Sequence, residues 1–275
     1  MFGELPTADQ RAGSLSRVCP EPFTGYGPAK EDYVIDWYLT WYCNYCCFYC
    51  SAQTNIPDRN IPRLERERER KPPVDRLIEI FARLPNHWRL HISGGEPFTY
   101  GDIIPLLTGL LQQRKVTVIT NLSLRINELI ESVPRENLQI SATWHPIPAQ
   151  GDIEGFIARL RRLSAAGFKV SKNINYVLHP RQLAPAREYK ERLSEAGFNL
   201  AAKVFVGEYE GRRYPEAYTP EEGNVVDEFG YNPLDRWPRP FPTKGKMCLA
   251  GYHSLCVRPE GLILRCEDDD VVMGD

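Results

Sequence analysis

The sequence predicts an α/β fold in which six βα units curl into a partial, TIM-like (βα)6 barrel, followed by a small C-terminal module containing a β-hairpin. Three observations carry that expectation. Apolar runs of strand length alternate with stretches of helical period between residues 33 and 206, the pattern of repeated βα units around a parallel sheet. Beyond residue 206 the alternation stops and Pro-containing turns take over. Cysteines gather in two places, directly after the first strand and near the end of the sequence.

The strands fall at 33–39, 88–93, 115–120, 138–143, 168–178 and 200–206, where apolar and β-branched residues concentrate. The clearest helices fall at 74–84, 102–112, 152–166 and 187–196, and Gly167 and Gly197 sit where two of them need a left-handed C-cap. Six units are too few to close an eight-stranded ring, so the barrel stays open and the C-terminal strand ends share one cavity. Residues 207–246, with Tyr214-Pro215, Thr219-Pro220, Trp237-Pro238 and Phe241-Pro242, read as turns and linker. Two short strands at 253–258 and 262–265 then form a hairpin about Pro259-Glu260-Gly261. The organisation expected is an N-terminal extension at 1–31, the barrel at 32–207, and linker plus C-terminal module at 208–275. The Glu/Arg alternation at 65–71 reads as a solvated helix.

Composition narrows the function classes. The 275 residues carry 34 Lys and Arg against 36 Asp and Glu, a balance without the basic excess of a nucleic-acid binder. Residues 1–19 contain no apolar signal segment, and the longest apolar stretch, around Ile103–Leu111, is far too short to span a bilayer. A cytoplasmic protein without a nucleic-acid or membrane partner is the expectation. Eight cysteines in a reducing compartment then point to metal chemistry rather than disulfides.

Cys43, Cys47 and Cys50 form a C-x3-C-x2-C spacing on the loop that leaves the first strand for the barrel mouth. Three thiolates on one tight loop can hold three irons of a cubane 4Fe-4S cluster and leave the fourth without a protein ligand. Two C-x2-C pairs, Cys43/Cys46 and Cys47/Cys50, have no residue between them, too little chain to wrap one tetrahedral zinc. A single redox C-x-x-C would leave two thiols unexplained. Cys46 reads as a small buried hydrophobe packed behind the loop, with ligation the alternative.

With Tyr49 as its aromatic, this loop resembles the C-x3-C-x-aromatic-C loop of the radical S-adenosylmethionine superfamily. The resemblance implies that the open iron chelates S-adenosylmethionine. It also implies that one electron from an external donor such as flavodoxin or ferredoxin cleaves the cofactor, and that the resulting 5'-deoxyadenosyl radical abstracts hydrogen from substrate. Tyr49 would pack at the adenine. Gly94-Gly95-Glu96-Pro97 stands where the family places a GGE segment that binds the amino group of S-adenosylmethionine. Asn121, Ser141 and Asn175 are spaced like its ribose and carboxylate contacts, although the family's Asn-Gly after the third strand is Asn121-Leu122 here. His145, followed by Pro146, lies within reach of substrate or cofactor, with a structural hydrogen-bonding role as the other reading. His87 and His91 lack a zinc-protease motif.

Cys248 and Cys266 fit C-x12-G-x4-C through Gly261, which resembles the opening of the Twitch and SPASM modules that hold auxiliary iron-sulfur clusters. The resemblance makes the C-terminal segment an iron-sulfur module with one auxiliary cluster, since the later SPASM cysteines are absent. Its remaining ligand would come from Cys256, Cys19 or a non-cysteine group, and Cys256 has two further readings, a buried hydrophobe or a hydrogen-atom donor. The family implies a radical SAM oxidoreductase or epimerase that dehydrogenates or epimerises a small polar substrate, whether a sugar, an aminocyclitol or a nucleoside. Two alternatives stand beside it: modification of a ribosomally synthesised peptide, and a non-catalytic iron-sulfur electron carrier or scaffold.

Overall fold

The computed structural model describes residues 33–50, 71–85, 87–229, 250–266 and 271–274. Cys19, Cys248, the 65–70 charge run and most of the expected linker beyond 229 lie outside these residues. The barrel opens with β1 (Tyr33–Thr40), followed by α1 (Val74–Ala82), β2 (Trp88–Gly94), α2 (Ile103–Leu111), β3 (Val116–Thr120), α3 (Ile126–Ser132), β4 (Leu138–Ala142) and α4 (Ile153–Ala165). It continues through β5 (Lys169–Val170), β6 (Asn173–Leu178), α5 (Ala186–Glu195) and β7 (Asn199–Val204). Strands β1 to β5 pair in parallel in sequence order, β6 pairs in parallel with β7, and a bridge from Thr143 to Asn175 joins the two sets. This is a partial, TIM-like barrel.

Alternation explains which face of each strand meets the helices. Ile35, Trp37 and Leu39 are buried, and Trp37 packs its ring on Phe81 of α1; Asp36 and Tyr38 therefore point to the inner face. Helix α4 buries Ile153, Phe156, Ile157, Leu160 and Leu163, one stripe at helical spacing, and Asp152 caps it by accepting the Gly155 N–H at 2.9 Å. Gly167 and Gly197 take φ values of +89° and +81° at the ends of α4 and α5, as C-cap glycines require.

Three elements depart from the sequence reading. The expected strand at 168–178 is two strands, because Ser171 Oγ accepts the Asn173 N–H at 3.2 Å and turns the chain out of one ladder into the next. Helix α3 went unassigned; its N-cap, Arg125, is left-handed at φ +53° and offers no side-chain cap. The 207–229 stretch is structured rather than linker: β8 (Gly207–Tyr209) and β9 (Arg212–Tyr214) form a hairpin, and α6 (Pro220–Glu228) starts on a reciprocal capping box between Thr219 and Glu222.

The C-terminal hairpin forms where expected, as β10 (Ser254–Val257) and β11 (Ile263–Leu264) about Gly261 at φ +90°, with β12 (Val272–Gly274) at the edge. Strand β10 pairs in parallel with β1, so the hairpin extends the barrel's own sheet. No described helix is long and apolar enough to cross a membrane.

Candidate active site

The chain leaves β1 at Trp41 and turns tightly, with the Cys50 N–H donating to the Cys47 carbonyl at 3.0 Å and the Tyr45 N–H donating to Cys43 Sγ at 3.4 Å. These turns bring Cys43, Cys47 and Cys50 to one wall of a cavity of about 390 Å³ at the C-terminal strand ends. Cys46 is exposed and does not line the cavity, which corrects the expectation of a small buried hydrophobe. The loop instead buries Cys47 and Tyr49 against Phe205 and Tyr214.

The Gly94-Gly95-Glu96 turn at the end of β2 lines the cavity directly beside this loop. Its backbone comes close enough to the cysteine loop for the Gly95 N–H to reach the Thr40 carbonyl at 2.7 Å and the Glu96 N–H to reach the Tyr42 carbonyl at 2.9 Å. Only glycine permits this approach. A Cβ on Gly95 would lie 2.0 Å from the Tyr42 oxygen, and Gly94 combines φ +115° with a 2.4 Å clash against the Thr40 oxygen. The glycines thus join two loops of the site as well as opening room for a ligand.

Glu96 is 1% exposed, and its carboxylate accepts from the Phe98 N–H at 3.1 Å, the Thr120 hydroxyl at 2.8 Å and the Asn121 N–H at 2.8 Å. Burial pushes its pKa up to about 7, and these three donors oppose the rise. Asn121 holds the third side of the clamp: its Nδ2 donates to Asn44 Oδ1 at 3.2 Å and its Oδ1 accepts from Ser123 N at 2.9 Å, while Asn44 Nδ2 donates to Ser123 Oγ at 2.8 Å. Leu122 settles the question raised by the missing glycine. It adopts a left-handed conformation at φ +57°, and it is fully buried in the core.

His145, three residues beyond the end of β4, stands on the cavity wall. Its Nδ1 lies 2.9 Å from the Tyr49 hydroxyl oxygen and 3.6 Å from Cys47 Sγ, and its ring stacks on Tyr49 with centroids 5.9 Å apart. Burial lowers its pKa to about 4 and raises that of Tyr49, so both rings are neutral near pH 7.

Seven sequence-selected residues beside the three cysteines and His145 divide clearly. Tyr49, Gly94, Gly95, Glu96 and Asn121 line the cavity. Ser141 and Asn175 do not; they bond to each other at 3.4 Å on the same inner face as Thr143 and Val177, which do line it. Cys256 is 1% exposed and stands in register with Asp36, four residues before the end of β1, about 13 Å below the strand end at 3.3 Å per residue. Cys266 is half-buried, two residues past Leu264, the cross-strand partner of Cys256. Sequence reasoning overlooked Asn44, Thr120 and Lys203. The first two reveal themselves only through contacts across the chain, but Lys203 stands in the last barrel strand on an otherwise apolar run, a visible signal.

The donor set fits an iron-sulfur cluster better than a single ion. Among the described residues no three His, Cys, Asp or Glu side chains converge on one metal position, whereas a cubane spreads three cysteine ligands over three irons. The cavity volume lies in the range of small-molecule sites, and a buried carboxylate and a glycine-backed turn stand beside the thiols.

No curated protein matches the sequence. Among solved structures, SuiB of Streptococcus suis bound to S-adenosylmethionine superposes with a TM-score of 0.60 at 16% identity, over 89% of this chain and 63% of that one. SuiB bound to the precursor peptide SuiA gives 0.54 at 17% identity, over 86% and 60%. Native anSMEcpe with bound AdoMet gives 0.55 at 15% identity, over 88% and 77%. At such identities the likeness speaks for the fold, and the chain spans less than two thirds of SuiB. The family model that matches is that of the Radical SAM superfamily, over residues 37–188, more than half of the sequence. The chain belongs to the radical S-adenosylmethionine superfamily, and its cofactors are a 4Fe-4S cluster and S-adenosylmethionine.

Proposed function

We propose that this chain is an enzyme that abstracts a hydrogen atom from a small polar substrate, a sugar, aminocyclitol or nucleoside, with dehydrogenation or epimerisation as the outcome. One observation carries the reading: Cys43, Cys47, Cys50, the Gly94-Gly95-Glu96 turn and the ends of β3 and β4 meet on one cavity. Bound there, the family's cofactors supply hydrogen-atom abstraction after one-electron reduction by an external donor such as flavodoxin or ferredoxin.

The chain's own residues position that chemistry. Cys43, Cys47 and Cys50 hold the cluster. The Gly94-Gly95 backbone and Glu96 would hold the amino group of S-adenosylmethionine, and Tyr45, Tyr49 and Phe205 would wall the cavity against water. Ser93, Thr143 and Lys203 offer hydroxyl and ammonium groups to a polar substrate. An auxiliary cluster held by Cys248 and Cys266, with Cys256 as a further candidate ligand, belongs to the same reading, and the β10–β11 hairpin supports it.

A peptide substrate is the second reading. It is favoured by the shared fold with SuiB in its precursor-peptide complex and with anSMEcpe in its complex with the Kp18Cys peptide. The test is anaerobic reconstitution followed by measurement of 5'-deoxyadenosine release and product mass, with a panel of sugars, aminocyclitols and nucleosides and, separately, peptides encoded beside the gene. If the electron paramagnetic spectrum of the reduced cluster does not change on adding S-adenosylmethionine, the reading fails altogether.

A further inference from the structure

His145 stands in neither the cysteine loop nor the Gly-Gly-Glu turn, yet it touches the thiol in the middle of the loop. Its backbone is fixed by the sheet: the Trp144 N–H donates to the Asn175 carbonyl at 2.9 Å and the Ala149 N–H to the His145 carbonyl at 3.1 Å. Its ring is held between Tyr49, stacked at 25°, and Tyr45, edge-on at 85°. Backbone and ring together aim Nδ1 at two atoms, the Tyr49 oxygen at 2.9 Å and Cys47 Sγ at 3.6 Å.

We propose that His145 donates a hydrogen bond through Nδ1–H to the cluster-ligating sulfur of Cys47 and thereby raises the reduction potential of the cluster. The inference rests on the reading that Cys47 is a cluster ligand. A tyrosine hydroxyl can donate or accept, so it leaves the imidazole tautomer open. An iron-bound thiolate only accepts, and bonds to charged acceptors are about twice as strong as neutral ones. Ligation of Cys47 therefore selects the tautomer with the proton on Nδ1, and the Tyr49 oxygen becomes a second acceptor of the same N–H. Reduction adds negative charge to the cluster and its sulfurs, so the donor stabilises the reduced state more than the oxidised one; hydrogen bonds to sulfur are among the protein's means of setting such potentials.

The experiment is an electron paramagnetic resonance redox titration of anaerobically reconstituted wild type, His145→Phe, His145→Asn and Tyr49→Phe, with iron and sulfide counted in each. Phe keeps an aromatic ring against Tyr49 without the donor, whereas Asn places an amide N–H where Nδ1 stood. At a fixed poise the ratio of reduced to oxidised cluster falls about tenfold in His145→Phe, about 59 mV for one electron. It recovers in His145→Asn and falls less in Tyr49→Phe, which removes a hydroxyl that also bonds Cys47. A Phe variant with full iron content and the wild-type potential overturns the proposal. So does a potential that falls in Tyr49→Phe alone, since the tyrosine would then be the donor. If the Phe variant takes up no cluster, the Asn variant decides: an unshifted potential supports the proposal, and one lower by the full tenfold ratio refutes it. Loss of the cluster itself on replacing Cys47 is a separate measurement and tests the underlying reading.

Discussion

Replacing Gly95 with alanine tests whether the site is held together by backbone contact between its loops. The added Cβ would stand 2.0 Å from the Tyr42 oxygen and 2.5 Å from its carbonyl carbon, both backbone atoms that no rotamer change can move. Ordinary contact begins near 3.4 Å, so the turn and the cysteine loop must separate by about 1.4 Å. That movement breaks the Gly95–Thr40 and Glu96–Tyr42 hydrogen bonds, each about 1 kcal/mol net, and adds about 1–3 kcal/mol of overpacking strain. A loss of ~3–5 kcal/mol follows, roughly 10 °C in melting temperature for a chain of this size. Because the loop that moves carries Cys43 and its neighbours, reconstituted iron should fall with it. Gly223→Ala, inside α6 where the new methyl meets nothing within 4 Å, is the control: iron content should stay the same, and the melting temperature should not fall and should rise slightly, by the roughly 1 kcal/mol that alanine gains over glycine in a helix. A Gly95→Ala protein that melts within about 2 °C of wild type and takes up full iron would refute the reasoning.

Three further outcomes are expected. Glu96, pushed up to about 7 by burial, holds a proton below that pH; an ammonium ion beside it favours the carboxylate, so S-adenosylmethionine binding should release protons below about pH 7 and strengthen as pH rises to that value. Calorimetry in two buffers of different ionisation enthalpy reads this directly, and a pH-independent affinity would count against a Glu96–ammonium contact. Leu122→Gly relieves about 1–2 kcal/mol of left-handed strain but empties a fully buried site costing about 3–5 kcal/mol, so urea denaturation should show a net loss of ~2–3 kcal/mol. Arg114, buried at the end of α1, donates to the Phe81, Ala82, Leu84 and Pro85 carbonyls; Arg114→Met removes these donors while the Phe81 and Pro85 carbonyls keep the Leu84 and Trp88 N–H, and should cost about 2–3 kcal/mol in the same assay.

What the sequence made legible follows from which interactions are local. Strands β1 to β4 and helices α1, α2, α4 and α5 were readable because each is a periodic pattern with its own punctuation, Gly167 and Gly197 among it. The break at Ser171 was not, because it depends on one side-chain hydrogen bond inside an apolar run. Helix α6 was hidden by taking Thr219-Pro220 as a turn, although proline at the first helical position behind a Thr-x-x-Glu capping box is a start signal. At the site, cysteine spacing and Gly-Gly-Glu pointed to residues that line one cavity because both are short and contiguous. Asn44, Thr120 and the contact of His145 with Cys47 depend on residues 24 to 98 positions apart and have no local trace.

These long-range contacts link the segments that line the cavity. Thr40 and Tyr42 bond to Gly95 and Glu96, Glu96 bonds to Thr120 and Asn121, and Asn121 with Ser123 returns to Asn44 within the cysteine loop. The chain of bonds closes on itself, so each member is positioned by bonds to residues on other segments. Val177, Lys203 and Val206 line the same cavity from β6, β7 and the segment after it, and Val177 and Lys203 are partners in the β6–β7 ladder. The residues beside the cysteine loop are therefore tied to one another by a closed set of hydrogen bonds, and those from β6 and β7 by the strand ladder.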